Sequence, residues 1–236
     1  MALLNTKIDL FKDLSEQELS EISKYFQLKK LSKNEKLFFQ SDKTKNFLIL
    51  LSGEVKLSNN NTNGDEMVID ILGAGNLINQ PFEEYFSCDA TALKNSQYLS
   101  IEQKTFGDLL VKFPKLTLNL TAILCAKNKD LIKRMESLQL LDAEEKLGSF
   151  LLKSAFDKNK KSSEFNLKIK KSLIASYLGI KPETLSRTFK KILQSENISL
   201  NKNTICLNEK SSLCRFCDEE VLYKCADNKS HFCKNK

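Results

Sequence analysis

The stretch LIASYLGIKPETLSRTFKKI, Leu173–Ile192 of the 236-residue sequence, decides the fold of the C-terminal half. Gly179 follows a short apolar pattern and tolerates the left-handed backbone with which helices often end. Pro182 suits the first turn of a second helix, where its missing N–H is not needed. The stretch therefore predicts two helices joined by a tight turn, a helix-turn-helix.

The second of these helices has an apolar face and a polar face. Leu185, Phe189 and Ile192 recur at helical spacing and form a stripe that we expect to be buried. The polar face suits contacts with base edges and phosphates in a DNA groove. The candidate DNA-binding residues are Glu183, Thr184, Ser186, Arg187 and Lys190 on this helix, together with Lys171 on the first helix.

The flanking segments extend this unit. Asp142–Phe156 is predicted to form a helix, and FNLKI at 165–169 is predicted to form a short strand. ISLNKNTICLNE at 198–209 is predicted to form a hairpin with Asn201–Asn203 at its tip. A hairpin in this place is typical of a wing, so we predict a winged helix-turn-helix domain over residues 141–210.

Residues 28–103 show a different pattern, in which short β-rich runs alternate with turns. FLILLSGEVKLS at 47–58 is rich in strand formers, and Asn63-Gly64 between two apolar runs is a strong hairpin signal. LGAGNLI at 72–78 and SQYLSIE at 96–102 are predicted as further strands. The pattern indicates an antiparallel β-roll.

Two helices accompany the roll. Leu14–Leu31 is predicted as a helix, because Ser15 and Glu18 have the spacing of a capping box. Pro114 fits the first turn of a long amphipathic helix, which we assign to residues 113–140. The apolar spacing of about 3.5 residues is typical of a helix that pairs with a second copy of itself. Its seam consists of Leu120, Leu124, Leu131, Met135 and Leu138, interrupted at Lys127 or Asn128.

The order of these segments predicts an α+β protein. It has an N-terminal antiparallel β-roll at 1–112, a long dimerisation helix at 113–140 and a C-terminal winged helix-turn-helix at 141–210. A cysteine-rich tail follows at 211–236.

Composition excludes several classes of protein. Hydrophobic residues make up 41% of the chain, with 7 Gly and 3 Pro, so disordered and collagen-like chains are excluded. No apolar run approaches the roughly 20 residues that a membrane span needs. The N-terminus reaches charged residues too soon for a secretory signal. We therefore expect a cytoplasmic protein with no membrane partner.

Charge is unevenly distributed along the chain. Residues 1–110 have a net charge of −4, whereas residues 166–236 hold 14 Lys and Arg against 7 Asp and Glu, a net of +7. The basic end suits a polyanion such as nucleic acid, although a lysine-rich solvated surface has the same composition. The three arginines in a chain that otherwise uses lysine are Arg134, Arg187 and Arg215.

LIASYLGIKPETLSRTFKKI resembles the DNA-binding signature of the Crp/Fnr family of bacterial transcription regulators. LILLSGEVKL at 48–57, the Asn-Gly hairpin and LGAGNLI resemble the cyclic-nucleotide-binding-type β-roll of that family. The resemblance covers about residues 10–210. It implies a homodimer on a pseudo-palindromic site in double-stranded DNA, with RNA polymerase as a further partner.

The resemblance also implies roles for individual residues. Glu183 and Arg187 match the family's base-reading positions, and Ser186 matches a serine of the Fnr-type members, which implies a half-site containing TGA. Lys181 departs from the family's usual Ser or Thr helix cap. Pro182 stands where the cyclic-AMP-responsive members have an arginine, so the outer part of the half-site is left open.

The cyclic-nucleotide site of the family lacks its charged residues here. Gln80 stands at the position of the family's Glu and Phe86 at that of its Arg, and no basic residue lies between Lys56 and Lys94. A buried phosphate without a cation is costly, so we predict no cyclic nucleotide and no residues that bind one. Haem is also disfavoured, because the only histidine is His231 in the tail.

The tail cysteines are the candidate metal ligands. Cys214, Cys217, Cys225 and Cys233 have the spacing C-x2-C-x7-C-x7-C, and four thiolates suit zinc or a 4Fe–4S cluster. An iron–sulfur cluster fits the resemblance, because Fnr-type regulators sense oxygen with such clusters. Zinc fits the local spacing, with His231 as a substitute ligand. A thiol redox switch, or a tail without any ligand, is the third interpretation.

These observations predict a DNA-binding transcription regulator that responds to a redox, oxygen or small-molecule signal. The alternative is a small-molecule-binding β-roll module with a structural zinc tail and no redox sensing. An enzyme is not expected, because the sequence has no GxSxG motif, no Gly-rich phosphate loop and no convergent acid–base group.

Overall fold

The computed structural model describes residues 8–60, 62, 64, 66–157, 160–167, 170–201, 203–209, 212–218, 221–222 and 225. The chain divides into two compact units, of which the first ends at Ile132 and the second begins at Lys133. Helices and antiparallel sheets occur in both units, which confirms the α+β class. The predicted domain boundaries at residues 112, 140 and 210 stay predictions.

Short antiparallel strands build the roll of the first unit. They are β1 Gln27–Leu31, β2 Lys36–Phe38, β3 Asn46–Ser52, β4 Val55–Asn60, β5 Glu66–Leu72, β6 Asp89–Ala92 and β7 Ser96–Glu102. One sheet has the order β1-β7-β3 and the other has the order β2-β6-β4-β5. The predicted roll is therefore confirmed, as is the antiparallel pairing of β4 with β5. Asn63, at the tip of that hairpin, lies outside the described residues.

Strand β3 is buried on both faces. Phe47 and Ile49 pack in the cluster that includes the helices, whereas Leu48 and Leu50 pack in the interior of the roll. This explains why FLILL reads as a continuous apolar run rather than as an alternating pattern.

The first helix is shorter than predicted. Helix α1 spans Glu16–Ser23 and begins with the expected capping box, in which Ser15 Oγ accepts from Glu18 N at 3.3 Å. The prediction of a helix as far as Leu31 is wrong. Residues from Gln27 onwards are held extended by pairing with β7, because the backbone bonds of that ladder replace those of a helix.

The predicted strand at 72–78 is also wrong. Leu72 ends β5, the chain turns at Gly73–Gly75, and the segment then meets β3 through the isolated bridge between Leu77 and Ile49. Gly73 and Gly75, separated by one residue, favour a turn over a continuous strand. The segment nevertheless lies along the edge of β3, where Ile78 N donates to Leu48 O at 2.9 Å.

Two helices follow the roll. They are α2 Gln103–Lys112 and α3 Pro114–Leu140, so Pro114 begins the long helix as predicted. Leu120 is buried in the core of the first unit and does not belong to a free seam. No single described helix is long and apolar enough to cross a membrane. The pair α2 and α3, bent by 114°, passes that test together by length and composition alone.

The second unit contains the predicted helix-turn-helix and wing. Its helices are α4 Ala143–Ala155, α5 Lys171–Leu178 and α6 Pro182–Ser195. Its strands are β8 Phe156–Asp157, β9 Lys160–Lys161, β10 Glu164–Asn166, β11 Ile198–Asn201 and β12 Thr204–Leu207. The wing is a three-stranded antiparallel sheet of order β10-β12-β11, so the predicted hairpin is joined by the strand that precedes the helix pair.

Candidate nucleic-acid interface

The turn between α5 and α6 is built around Gly179. Its φ of +64° is left-handed, and Ile180 N closes the helix end by donating to Ala175 O at 3.0 Å. Glycine adopts this conformation without the strain that a side chain would add. Pro182 then begins α6, and Lys181 caps it without any side-chain hydrogen bond. The turn thereby fixes the angle at which α6 leaves α5.

Helix α6 is divided into a buried side and an exposed side. Leu185, Thr188, Phe189 and Ile192 are buried in the core of the second unit. The predicted base-reading and phosphate-binding side chains lie outside that core, as helical spacing requires. Glu183, Ser186, Arg187 and Lys190 are exposed, and Thr184 is half-buried.

The lysines around α6 have different surroundings. Lys171, at the start of α5, is exposed, with its Nζ 4.5 Å from the centre of the Phe189 ring. Lys190 is exposed, whereas Lys191 forms an ion pair with Glu144 of α4. The side chains of Lys171 and Lys190 are therefore exposed, as their predicted role requires, and Lys191 is engaged within the protein.

The three arginines have different roles in the second unit. Arg187 points outward on α6, whereas Arg134 of α3 stacks on the Tyr177 ring at 4.3 Å and donates to Tyr177 O at 3.1 Å. Arg215 contacts Glu144 and Glu196, which places it against α4 and the end of α6. Sequence reasoning singled out these arginines, but it missed the partners that Arg134 and Arg215 contact.

Three of the four candidate metal ligands in the cysteine-rich tail lie among the described residues. Cys214 and Cys217 lie in one 3-10 turn, closed by Cys217 N donating to Cys214 O at 3.1 Å, and Cys225 follows. All three are half-buried. Among the described residues, no three His, Cys, Asp or Glu side chains meet as metal ligands. Cys233 and His231 lie outside the described residues, so the predicted four-ligand set is not tested.

The turn that carries these cysteines packs on the DNA-binding unit itself. Leu213 and Val221 are buried in its core, and Phe216 packs against the same cluster. Asp218 pairs with Lys153 of α4 at 2.8 Å. Residues 212–218 and Val221 are thus packed on the fold of the second unit, whereas the predicted tail boundary at residue 211 stays a prediction.

The first unit contains a cavity of about 220 Å³ between the 74–80 loop and α3. Leu57, Ile123 and Leu124 supply apolar walls, and Lys127 supplies a cation that already pairs with Asp70. Gln80 lines this cavity, whereas Phe86 is stacked on Phe38 with ring centres 3.6 Å apart. Phe86, which stands where the family has an arginine for the cyclic phosphate, therefore packs its ring against the core of the roll.

Comparison with known proteins follows this division of the chain. The model of the cyclic nucleotide-binding domain matches residues 28–113, and that of the Crp-like helix-turn-helix domain matches residues 145–216. The fumarate and nitrate reduction regulatory protein of Vibrio cholerae is 28% identical over 202 residues, covering 82% of this chain and 80% of its own. The anaerobic regulatory protein of Pasteurella multocida is 25% identical over 210 residues, covering 85% and 76%.

The solved structure of FixK2 from Bradyrhizobium japonicum has a similar fold. Its TM-score is 0.72 at 15% identity, over 82% of this chain and 98% of that chain. The fold is thus shared with a solved structure, and the two domain models match this chain in the order roll, then helix-turn-helix. The chain therefore belongs to the Crp/Fnr family, and it is a DNA-binding transcription regulator rather than an enzyme.

Proposed function

We propose that the protein binds a pseudo-palindromic DNA site as a homodimer and reads each half-site with the exposed side of α6. The observation that carries this proposal is the outward stripe of Glu183 and Arg187, one helical turn apart. A glutamate accepts from cytosine N4, and an arginine donates two hydrogen bonds to guanine O6 and N7. This pair supports a half-site that contains TGA.

The other predicted residues position the protein on the duplex. Ser186 and the half-buried Thr184 flank the base-reading stripe with short hydroxyl donors. Lys171 and Lys190 supply exposed cations on either side of it. Contacts of this kind with phosphate fix register and orientation without carrying sequence information.

One uncharged face of α3 supports the homodimer. Thr121, Leu124, Asn128, Leu131 and Met135 follow a heptad pattern along it. Leu131 is 46% exposed and Met135 is 61% exposed, so this face presents apolar side chains in succession. A second copy of α3 would cover them, and Asn128 at a seam position would favour one register.

We propose that the signal is redox, oxygen or a small molecule, and not a cyclic nucleotide. The name of the anaerobic regulatory protein of Pasteurella multocida supports an oxygen-related signal, and the tail cysteines would supply the chemistry. Cys214, Cys217, Cys225 and Cys233 would hold an iron–sulfur cluster or zinc. A cluster would supply oxygen sensitivity, whereas zinc would supply rigidity. The cavity in the first unit is the place for a small-molecule signal.

We further propose that the DNA-bound dimer acts in the cytoplasm, where the DNA is, and contacts RNA polymerase. The names of the relatives, which are regulatory proteins, support this output.

Selection of duplexes from a random pool tests the DNA-binding proposal. We expect inverted repeats with TGA in each half to be enriched by the intact protein. Arg187→Ala should lose this enrichment while it retains weak binding to unrelated duplexes. Equal enrichment by Arg187→Ala would refute the assignment of base reading to α6. A chain that oligomerises but enriches no sequence would favour the alternative, a small-molecule-binding module.

Anaerobic purification followed by iron, sulfide and zinc analysis of the same sample tests the cofactor proposal. Stoichiometric iron and sulfide with a visible absorption band would establish an iron–sulfur sensor. A colourless protein with one zinc per chain would make the cysteines structural and direct the search for the signal to the cavity. A protein with neither would leave thiol oxidation as the chemistry of the tail.

A further inference from the structure

Glu144, near the start of α4, lies between two cations from different parts of the second unit. Its Oε2 pairs with Nζ of Lys191 on α6. Its Oε1 accepts a hydrogen bond of 2.6 Å from Nη2 of Arg215, in the turn after the wing. The Glu144 side chain is 17% exposed, whereas that of Lys191 is 67% exposed. One carboxylate thus pairs with a largely exposed cation, Lys191, and with a less exposed one, Arg215.

Arg215 is fixed because its guanidinium has several partners. Nε pairs with Glu196 Oε1 at 2.5 Å, and Nη2 donates to Ser195 Oγ at 3.2 Å. The guanidinium also lies 4.4 Å from the centre of the Phe216 ring. Since Ser195 and Glu196 end α6, Arg215 joins the end of the recognition helix to the start of α4. The planar fork of an arginine suits such a junction better than a lysine would.

Lys191 stands on the DNA-facing side of α6. Glu183, Arg187 and Lys191 are four residues apart, so their side chains leave the helix along one stripe. A cation one turn beyond the base-reading arginine is placed to meet the phosphate backbone beside the groove. In the structure, this cation is turned towards Glu144.

We infer that Arg215 is a positioning residue for DNA binding, which keeps Glu144 neutralised so that Lys191 is available to a DNA phosphate. The inference rests on the proposed DNA-facing side of α6. If Lys191 left Glu144 without Arg215 in place, an unpaired carboxylate would face the polyanion, and this repulsion would cancel the gain from the phosphate contact. With Arg215 in place, the carboxylate keeps one partner.

The titration of Glu144 agrees with this arrangement. The hydrogen bond from Lys191, together with that from Arg215, holds the pKa of the Glu144 carboxyl below its ordinary value, against the opposing effect of burial. Glu144 is therefore charged at neutral pH, as the inference requires.

The salt dependence of binding to a duplex of unrelated sequence tests the inference. Binding to such a probe does not need base reading, so the result stands apart from the operator proposal. Each phosphate contact contributes about 0.9 to the slope of log K against log salt. We expect Lys191→Gln to lower the slope by about 0.9 for each Lys191 engaged, and Arg215→Gln to lower it as much. In the double variant with Lys191→Gln and Arg215→Gln, the slope should fall no further than in either single variant.

Two further variants complete the test. In a Glu144→Gln background, Arg215→Gln should no longer change the slope, because no carboxylate remains to hold Lys191. Lys153→Gln is the matched control, since it removes one positive charge and the ion pair between α4 and Asp218 in the turn after the wing. Lys153 lies half a turn around α4 from Glu144, on the other side of the helix. It should leave the slope unchanged, and thermal unfolding should confirm that every variant is folded.

Additive losses in Arg215→Gln and Lys191→Gln would overturn the inference, because the two residues would then contact DNA independently. An unchanged slope in Lys191→Gln would overturn it as well, since Lys191 would then not contact phosphate. If Arg215→Gln proves too unstable to assay, Arg215→Lys serves in its place. Arg215→Lys retains the positive charge but not the planar guanidinium, so the slope should fall by less than the value expected for Arg215→Gln.

Discussion

The ring of Phe216 lies directly against Gly148 in the middle of α4. A Cβ at residue 148 would lie 2.3 Å from Cγ of that ring, which is too close for any real contact. Glycine in a helix interior costs roughly 0.5–1 kcal/mol relative to alanine. The helix carries this cost at the place where the turn after the wing packs on it.

Gly148→Ala should therefore destabilise the second unit despite the better helix propensity of alanine. Overpacking of this kind costs roughly 1–3 kcal/mol in the free energy of unfolding. Urea denaturation measures it, and Phe216→Ala should relieve most of the cost in the double variant. Gly107→Ala in α2 is the control, because its Cβ would meet Phe82 at an ordinary 3.5 Å. A stability gain in Gly148→Ala would contradict the packing described.

Arg187→Lys should lose discrimination between DNA sequences. A lysine cannot make the two parallel hydrogen bonds to guanine, which contribute roughly 1–3 kcal/mol of discrimination for each half-site. Affinity for the selected site should fall while affinity for an unrelated duplex stays the same, as measured by fluorescence anisotropy. Lys190→Gln should instead weaken binding to both duplexes alike. If the two variants behaved alike, the division between base and phosphate contacts would be wrong.

Met135→Glu should shift the protein towards monomers. A carboxylate at this position of the α3 face would meet its own copy across the seam, and like charges repel there. We expect the dimer dissociation constant to rise at least about tenfold, which is about 1.4 kcal/mol. Sedimentation equilibrium measures it. Leu140→Glu provides the control, since Leu140 is 78% exposed but lies off the heptad face. Equal loss of dimer in both variants would argue against this seam.

Asp89 on β6 should make the first unit sensitive to acid. Burial alone would raise the pKa of its carboxyl, but hydrogen bonds from Lys36 Nζ and Gln40 N hold the pKa below its ordinary value. A carboxylate with a lowered folded pKa stabilises the fold above its unfolded pKa of about 3.9. That stabilisation is lost as the pH falls through the folded pKa.

Asp89→Asn should thus cost on the order of 1 kcal/mol at pH 7, and progressively less as the pH falls below the unfolded pKa of about 3.9. Thermal unfolding across this pH range measures the difference. Asp130→Asn, an exposed change on α3 that removes the same charge, should show no such pH dependence. A constant effect of Asp89→Asn at all pH values would refute the role of its charge.

The helix-turn-helix could be predicted from sequence because its signals are local. Gly179 and Pro182 mark a turn through their own backbone preferences, and Leu185, Phe189 and Ile192 mark the buried side by spacing alone. The Leu14–Leu31 prediction failed for the opposite reason. The pairing of β1 with β7 joins residues about 70 positions apart, and such pairing overrides a local helical pattern.

The contacts of the charged side chains also lay beyond sequence reasoning. Arg215 stands out as a rare arginine, but its partners Glu144 and Glu196 are brought to it only by the packing of α4 and α6. The pattern placed Lys191 outside the core without indicating that it pairs with α4. The spacing of residues can place a side chain on a helix face. Which carboxylate a lysine or arginine then pairs with depends on the fold around it.

The burial of Leu213 and Phe216 also constrains how this protein can evolve. Mutation can replace the thiols of Cys214 and Cys217 singly, because each is half-buried and lies at an end of the turn. Residues 213–217 cannot be deleted as freely, since Leu213 is buried in the core of the second unit and Phe216 packs against that core. A lineage can therefore abandon the chemistry of these cysteines and still inherit the scaffold from which a new sensor could arise.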